Sequence, residues 1–165
     1  MPNNTNLGRI LAFDPGFERL GVAVVEKQNG KEVLLHSACV RTDAKARFED
    51  RLLILGKAVE ELIQEWAPGA VALEDIYFAK NEKTAIKIAE VRGVLSYLAR
   101  VHNLRLFQYT PLEVKVAITG YGRSDKGAVA AMIPRLVVLP KRARLDDEMD
   151  AIAIGLTCLA SARFV

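Results

Sequence analysis

The stretch ILAFDPGFERLGVAVVE, residues 10–26, decides the fold. Ile10, Leu11, Ala12 and Phe13 form an apolar run that stops at Asp14. Pro15 and Gly16 turn the chain, and Val22, Ala23, Val24 and Val25 form a second run. Two short apolar runs around a Pro-Gly turn predict two buried strands. Asp14 then stands where the first strand ends. Taken alone it has two readings. It is the residue that opens a turn, since Asp-Pro-Gly is turn chemistry, or it is a carboxylate facing a cleft and holding a cation. The choice depends on whether other carboxylates reach equivalent places.

Working outward, the first forty residues predict an antiparallel meander of three strands. These are Arg9 to Asp14, Gly21 to Lys27 and Glu32 to Arg41, with KQNGKE as a hairpin turn. Residues 1–8 read as a flexible polar tail, without the charge and apolar pattern of a leader peptide. The period then changes. Phe48, Leu52, Leu55, Val59, Leu62, Ile63 and Trp66 follow helical spacing, and Pro68-Gly69 stops that helix. AVALEDI is a short strand carrying Glu74 at its end, followed by a long helix from about Glu82 to His102. LRLFQY, Leu104 to Tyr109, is a fifth strand, and helices follow over 111–118, 124–136 and about 146–162. A meander followed by strand–helix alternation predicts an α/β domain with a five-stranded mixed sheet and helices on both faces. In such a sheet the first and fourth strands lie side by side. Asp14 and Glu74 then meet at their carboxyl ends, where α/β folds keep their sites.

Composition is consistent with one domain over residues 1–165. The chain is 51% apolar with a formal net charge of +3, mildly basic but not polybasic. Cys39 and Cys158 lie in apolar segments without CxxC or metal-ligand spacing and read as buried free thiols of a reducing compartment. No apolar run is long enough to span a bilayer, so a soluble, cytoplasmic protein with no membrane partner is expected. His36 and His102 are isolated and read as structural. No Ser-His-Asp order or Walker loop is present.

A third acidic group is RLDDEMDAIAIG. Asp147 and Asp150 are three apart, so a helix puts them on one face. The rest of that helix is apolar nearly all round and must pack on the sheet, carrying its acidic first turn to the sheet's edge. A purely structural reading also exists: Asp147 as N-cap, Asp150 as its capping-box partner, and Asp146 and Glu148 as solvated charges. Taken together, a strand-end Asp, a strand-end Glu and an Asp pair at a helix start supply the oxygen donors that hard divalent cations require. They suit two-metal phosphoryl chemistry.

Four segments, AFDPGFERLGVAVV, ALEDIYFAKN, VKVAITGYGRSDKGAV and LDDEMDAIAIG, together resemble the RuvC-type Holliday junction resolvases, crossover junction endodeoxyribonucleases of ribonuclease H-like fold. Tyr77 stands where the family often has Phe, and Ala128 where Gln is common. The resemblance implies a homodimeric, Mg²⁺- or Mn²⁺-dependent endonuclease with two ions per active site. It would nick two opposed strands of a four-way DNA junction symmetrically in recombination and repair, leaving ligatable 5′-phosphates. It implies that Asp14, Glu74, Asp147 and Asp150 are the catalytic and metal-binding acids. Asp147 is preferred to Asp146 for its spacing to Asp150. Tyr77 and Phe78 are candidates for stacking on junction bases. Lys80, Asn81, Lys83, Lys115, Arg123 and Lys126 are candidates for phosphate contact, with Lys87 nearby. Lys141 to Arg144 read as a solvated loop that could balance the acids and touch DNA. Ala89 and Gly93, four apart, mark the dimer helix by resemblance, with intrachain packing as the alternative. A branch-migration helicase complex is a further partner the family raises.

Three other classes compete. A ribonuclease H-like nuclease for other structured RNA or DNA would share the acids. An ATP-binding kinase or actin-like half also uses an acidic hairpin, but its two lobes need a longer chain. A non-catalytic junction binder would gain nothing from four acids that repel DNA.

Overall fold

The computed structural model describes residues 6–16, 18–75 and 82–162. The elements run β1 (Asn6–Asp14), β2 (Arg19–Gln28), β3 (Lys31–Arg41), α1 (Phe48–Trp66), β4 (Pro68–Glu74), α2 (Glu82–Val101), β5 (Arg105–Tyr109), α3 (Pro111–Thr119), α4 (Lys126–Leu136) and α5 (Asp146–Ser161). This is the predicted order. β1 starts three residues before the predicted Arg9, because Asn6 pairs with Pro68 across an irregularity in the β1–β4 ladder. Asn6 to Gly8 therefore belong to the sheet rather than to a tail. α1 ends at Ala67 in the left-handed conformation, and Pro68 already belongs to β4.

The sheet order is β3-β2-β1-β4-β5. β1, β2 and β3 are antiparallel neighbours, and β4 pairs parallel with both β1 and β5. Strand alternation separates two cores. Leu11, Phe13, Val22, Val24, Val71 and Leu73 face α1 and α2. Ile10, Ala12, Ala23, Val25, Ala70 and Ala72 face α3, α4 and α5. The second face is made small by its alanines, so α5 lies close to the sheet. A methyl added at Gly155 of α5 would stand 2.8 Å from Val25 Cγ2 and 3.2 Å from Ala12 Cβ. α5 is buried along nearly its whole length, which its all-round apolar sequence requires.

Cys158 is buried as predicted, whereas Cys39 on the edge strand β3 is only half-buried; both are free thiols. His36 stacks on Trp66 with ring centroids 5.5 Å apart, a structural role. Among the described residues no helix is long and apolar enough to cross a membrane.

Candidate active site

Period-2 alternation delivers the first two acids. Asp14 follows Ala12 by two, and Glu74 follows Ala72 by two, so both project to the α5 face of the sheet. Ala12 pairs with Ala72 and Phe13 with Leu73, so the two carboxylates leave adjacent parallel strands one step beyond the last pair. The other two acids arrive at the start of α5, which sits directly on β2. The Asp147 carbonyl oxygen lies only 1.9 Å from where a Cβ at Gly21 would be, and Gly21 pairs with Asp14. Gly21 is thus what lets the α5 turn reach Asp14.

Asp14, Glu74, Asp147 and Asp150 line a single cavity of about 390 Å³, together with Lys115 and Lys126. Asp146 is exposed and does not line it. Lys126 Nζ donates to Asp150 Oδ2 at 2.6 Å. Lys126 is placed by the start of α4, where Asp125 caps the helix by accepting from the Ala128 amide at 2.8 Å. Arg19 Nε stands 3.2 Å from Asp147 Oδ2, without the alignment of a hydrogen bond, and that oxygen is buried with no hydrogen-bond donor among the described residues.

Crowded acids titrate late. Burial, then the charges of Asp150, Glu74 and Asp147, push the Asp14 carboxyl up to about 7. Burial and Asp150 raise Glu74, against the opposing pull of Lys126, Arg92 and Lys115. As the side chains stand, no three acidic, imidazole or thiol groups among the described residues converge on one coordination point. Asp150 is engaged by Lys126, and Asp147 is turned toward Arg19. The donor set nonetheless fits a hard divalent cation. It is all carboxylate oxygen, it contains a buried Asp147 oxygen with no hydrogen-bond partner among the described residues, and at Asp14 the acidic charge is only partly offset by Lys126.

Other candidates are placed differently. Tyr77, Phe78, Lys80 and Asn81 lie outside the described residues. Lys83, at the start of α2, and Arg123 are exposed and do not line the cavity. Lys87 lies over the Phe48 ring, 5.6 Å from its centroid, which ties α2 to α1. Ala89 and Gly93 face outward on α2. A Cβ at Gly93 would meet nothing within 4 Å among the described residues, and Ile86 and Tyr97 on the same helix are 60% and 68% exposed. Intrachain packing therefore does not explain these small residues.

Two expectations are corrected. The N-cap of α5 is Leu145, with no side-chain cap, so Asp147 and Asp150 do not form a capping box. Lys141 to Arg144 is not simply a solvated loop. Arg142 and Arg144 bind Glu148, which is buried rather than solvated. Sequence reasoning also missed Arg92. It is nearly buried on α2 and reaches Asp75 at 3.3 Å and Gln108 at 2.9 Å, just behind Glu74. Its mid-helix position among apolar residues was the available signal.

Strand-end and helix-start carboxylates on a sheet of this order define a nuclease of the ribonuclease H-like fold, as predicted. A family model described as crossover junction endodeoxyribonuclease RuvC matches residues 10–158. The chain belongs to the RuvC family of crossover junction endodeoxyribonucleases. The RuvC protein of Caldanaerobacter subterraneus is 40% identical over 149 residues, 90% of each chain. That of Ruminiclostridium cellulolyticum is 37% identical over 147 residues, 89% of each. RuvC from Thermus thermophilus, solved in complex with a Holliday junction substrate, matches with a TM-score of 0.84 at 31% identity, covering 90% of this chain and 91% of that one. The yeast mitochondrial Holliday junction resolvase Ydc2 shares the fold, with a TM-score of 0.70 at 12% identity over 94% of this chain and 79% of that one.

Proposed function

We propose that this protein resolves four-way DNA junctions as a homodimeric, Mg²⁺-dependent endonuclease, nicking two opposed strands symmetrically and leaving sealable 5′-phosphates. The observation that carries this reading is the single cavity in which Asp14, Glu74, Asp147 and Asp150 meet two lysines. The four acids would hold Mg²⁺, two ions per site with Mn²⁺ as a substitute, supplying Lewis acidity at the scissile phosphate and a water of lowered pKa. The chain's own part is positioning. Two acids are fixed by strand ends and two by a helix turn. Lys126 and Lys115 stand on the cavity wall where a phosphate would enter and offset the negative charge that would otherwise repel it. Tyr77 and Phe78 are proposed to hold unstacked bases at the junction centre, with Lys80, Asn81, Lys83 and Arg123 on phosphates. A cytoplasmic location and a branch-migration helicase partner complete the reading by family resemblance.

A cleavage assay comparing a four-way junction, a linear duplex and a structured RNA tests it. Paired, ligatable nicks in the junction are expected, with little cutting of the other two. Comparable cutting of the RNA would instead favour a ribonuclease H-like nuclease of other specificity.

Two scissile phosphates related by a two-fold axis call for two sites so related. The outward face of α2, with Ala89 and Gly93 flanked by exposed Ile86 and Tyr97, supports dimerisation there. A Cβ at position 93 meets nothing within 4 Å among the described residues and Gly93→Leu replaces a poor helix former, so the monomer should keep or gain stability. The variant should sediment as a folded monomer and lose paired incision. A monomeric mass for the unmodified protein at micromolar concentration would count against the α2 dimer.

A further inference from the structure

The first turn of α5 carries Asp146, Asp147 and Glu148, with Asp150 just beyond it, and has no side-chain cap. Only Asp147 and Asp150 reach the cavity. Glu148 points elsewhere, and its side chain is only 4% exposed. A carboxylate so buried is tolerated only when paired and hydrogen-bonded. Arg142 makes a forked contact, donating from Nη1 to Glu148 Oε2 at 3.2 Å and from Nη2 to Oε1. Arg144 Nε stands 3.5 Å from the same Oε1. Both arginines continue to β3. Arg142 Nη2 donates to the Ser37 carbonyl at 2.8 Å and to its Oγ at 3.0 Å, and Arg144 Nε donates to that Oγ at 3.3 Å.

From this geometry we infer that Glu148 is a positioning residue: clamped through Arg142 and Arg144 onto Ser37, it sets how the α5 turn presents Asp147 and Asp150 to the cavity. The turn is fixed at two points on adjacent strands. Its Asp147 carbonyl rests on Gly21 of β2, and its Glu148 carboxylate is tied to Ser37 of β3. A helix turn held at one point can roll about it; held at two it cannot. Removing groups that orient metal ligands from behind typically costs about 10- to 100-fold in metal affinity or activity.

The inference rests on Asp147 and Asp150 holding the cation, and its test separates the two. Mn²⁺ binding is titrated calorimetrically on the DNA-free protein for the unmodified chain, Glu148→Gln, Ser37→Ala and Asp147→Asn, well below each melting temperature. Junction binding is measured over a range of salt. Glu148→Gln should weaken Mn²⁺ about 10-fold. Junction nicking should recover at high Mn²⁺, with junction affinity and its salt dependence unchanged. Ser37→Ala, which keeps the charge pair and the Arg142 bond to the backbone carbonyl but removes both Oγ contacts, should weaken Mn²⁺ in the same direction by less, and it carries the test if Glu148→Gln does not fold. Unchanged Mn²⁺ affinity in both variants, with Asp147→Asn impaired, overturns the clamp. A lower salt slope for junction binding in Glu148→Gln also overturns it, since the arginines would then serve DNA. Normal Mn²⁺ binding by Asp147→Asn overturns the ligand assignment instead.

Discussion

Asp14→Asn should abolish junction cutting and, in the presence of a chelator at pH 8, raise the melting temperature. Both effects have one cause. Asp14 sits among three other carboxylates, and its pKa is pushed up to about 7 from 3.8. Between about pH 4 and 7 the folded chain therefore holds a proton the unfolded chain has released. Stability falls as pH rises through that window, and the deficit is complete above pH 7. Each pKa unit corresponds to about 1.4 kcal/mol. Discounted for partial exposure, the deficit is about 1–3 kcal/mol. Asparagine cannot ionise and removes it, which for a chain of this size is a gain of about 2–4 °C per kcal/mol. At pH 5, a little over one unit into that window, the difference should shrink to about a third of its value at pH 8. Cutting should fall at least about 1,000-fold, since losing a metal-holding charge forfeits about 4 kcal/mol of transition-state stabilisation. Junction binding should stay within a few-fold, because affinity comes from cations on phosphates. Scanning fluorimetry at the two pH values and single-turnover nicking in Mg²⁺ measure both arms. Retained cutting would remove Asp14 from the cation site, and a lower melting temperature at pH 8 would mean its charge is compensated.

Much of this site was legible in the sequence, because it depends on local periods. The run from Ile10 to Phe13 fixes which face Asp14 takes, and AVAL does the same for Glu74. The three-residue spacing of Asp147 and Asp150 needs only a helix. What escaped depends on contacts between distant segments. Lys126 meets Asp150 across 24 residues, through the docking of α4 on α5. Arg142 meets Ser37 across 105. No local pattern distinguishes Glu148 from its solvated neighbours, since its burial follows from which side of α5 faces β3. The capping box of α3 is a different case. Thr110 and Glu113 cap each other in a TPLE sequence, a signal that was present and local.

Gly21→Ala should cost at least about 100-fold in cutting, although no atom of Gly21 takes part in the chemistry. The added methyl would fall 1.9 Å from the Asp147 carbonyl oxygen, 2.5 Å from its carbon and 3.2 Å from Asp14 Cβ. The first two are backbone atoms and cannot swing aside like the end of a side chain. Restoring van der Waals distance requires the α5 turn to retreat by roughly 1.5 Å. Asp147 and Asp150 ride on that turn, while Asp14 and Glu74 stay with the sheet. A misplacement of about 1 Å among reacting groups costs about 100-fold. Overpacking of this kind also destabilises by about 1–3 kcal/mol, so a lower melting temperature accompanies the loss. Stability alone does not explain the activity, and a control separates them. At Gly56 on the opposite face an added methyl meets, among the described residues, only Val94 Cγ1, at 3.4 Å. Gly56→Ala should therefore cut like the unmodified protein. Junction affinity should survive in both variants, whereas calorimetric Mn²⁺ binding should weaken only in Gly21→Ala. Cutting by Gly21→Ala at the unmodified rate would mean that the α5 turn can move without disturbing the acids, and that contact with β2 does not hold the four carboxylates in register.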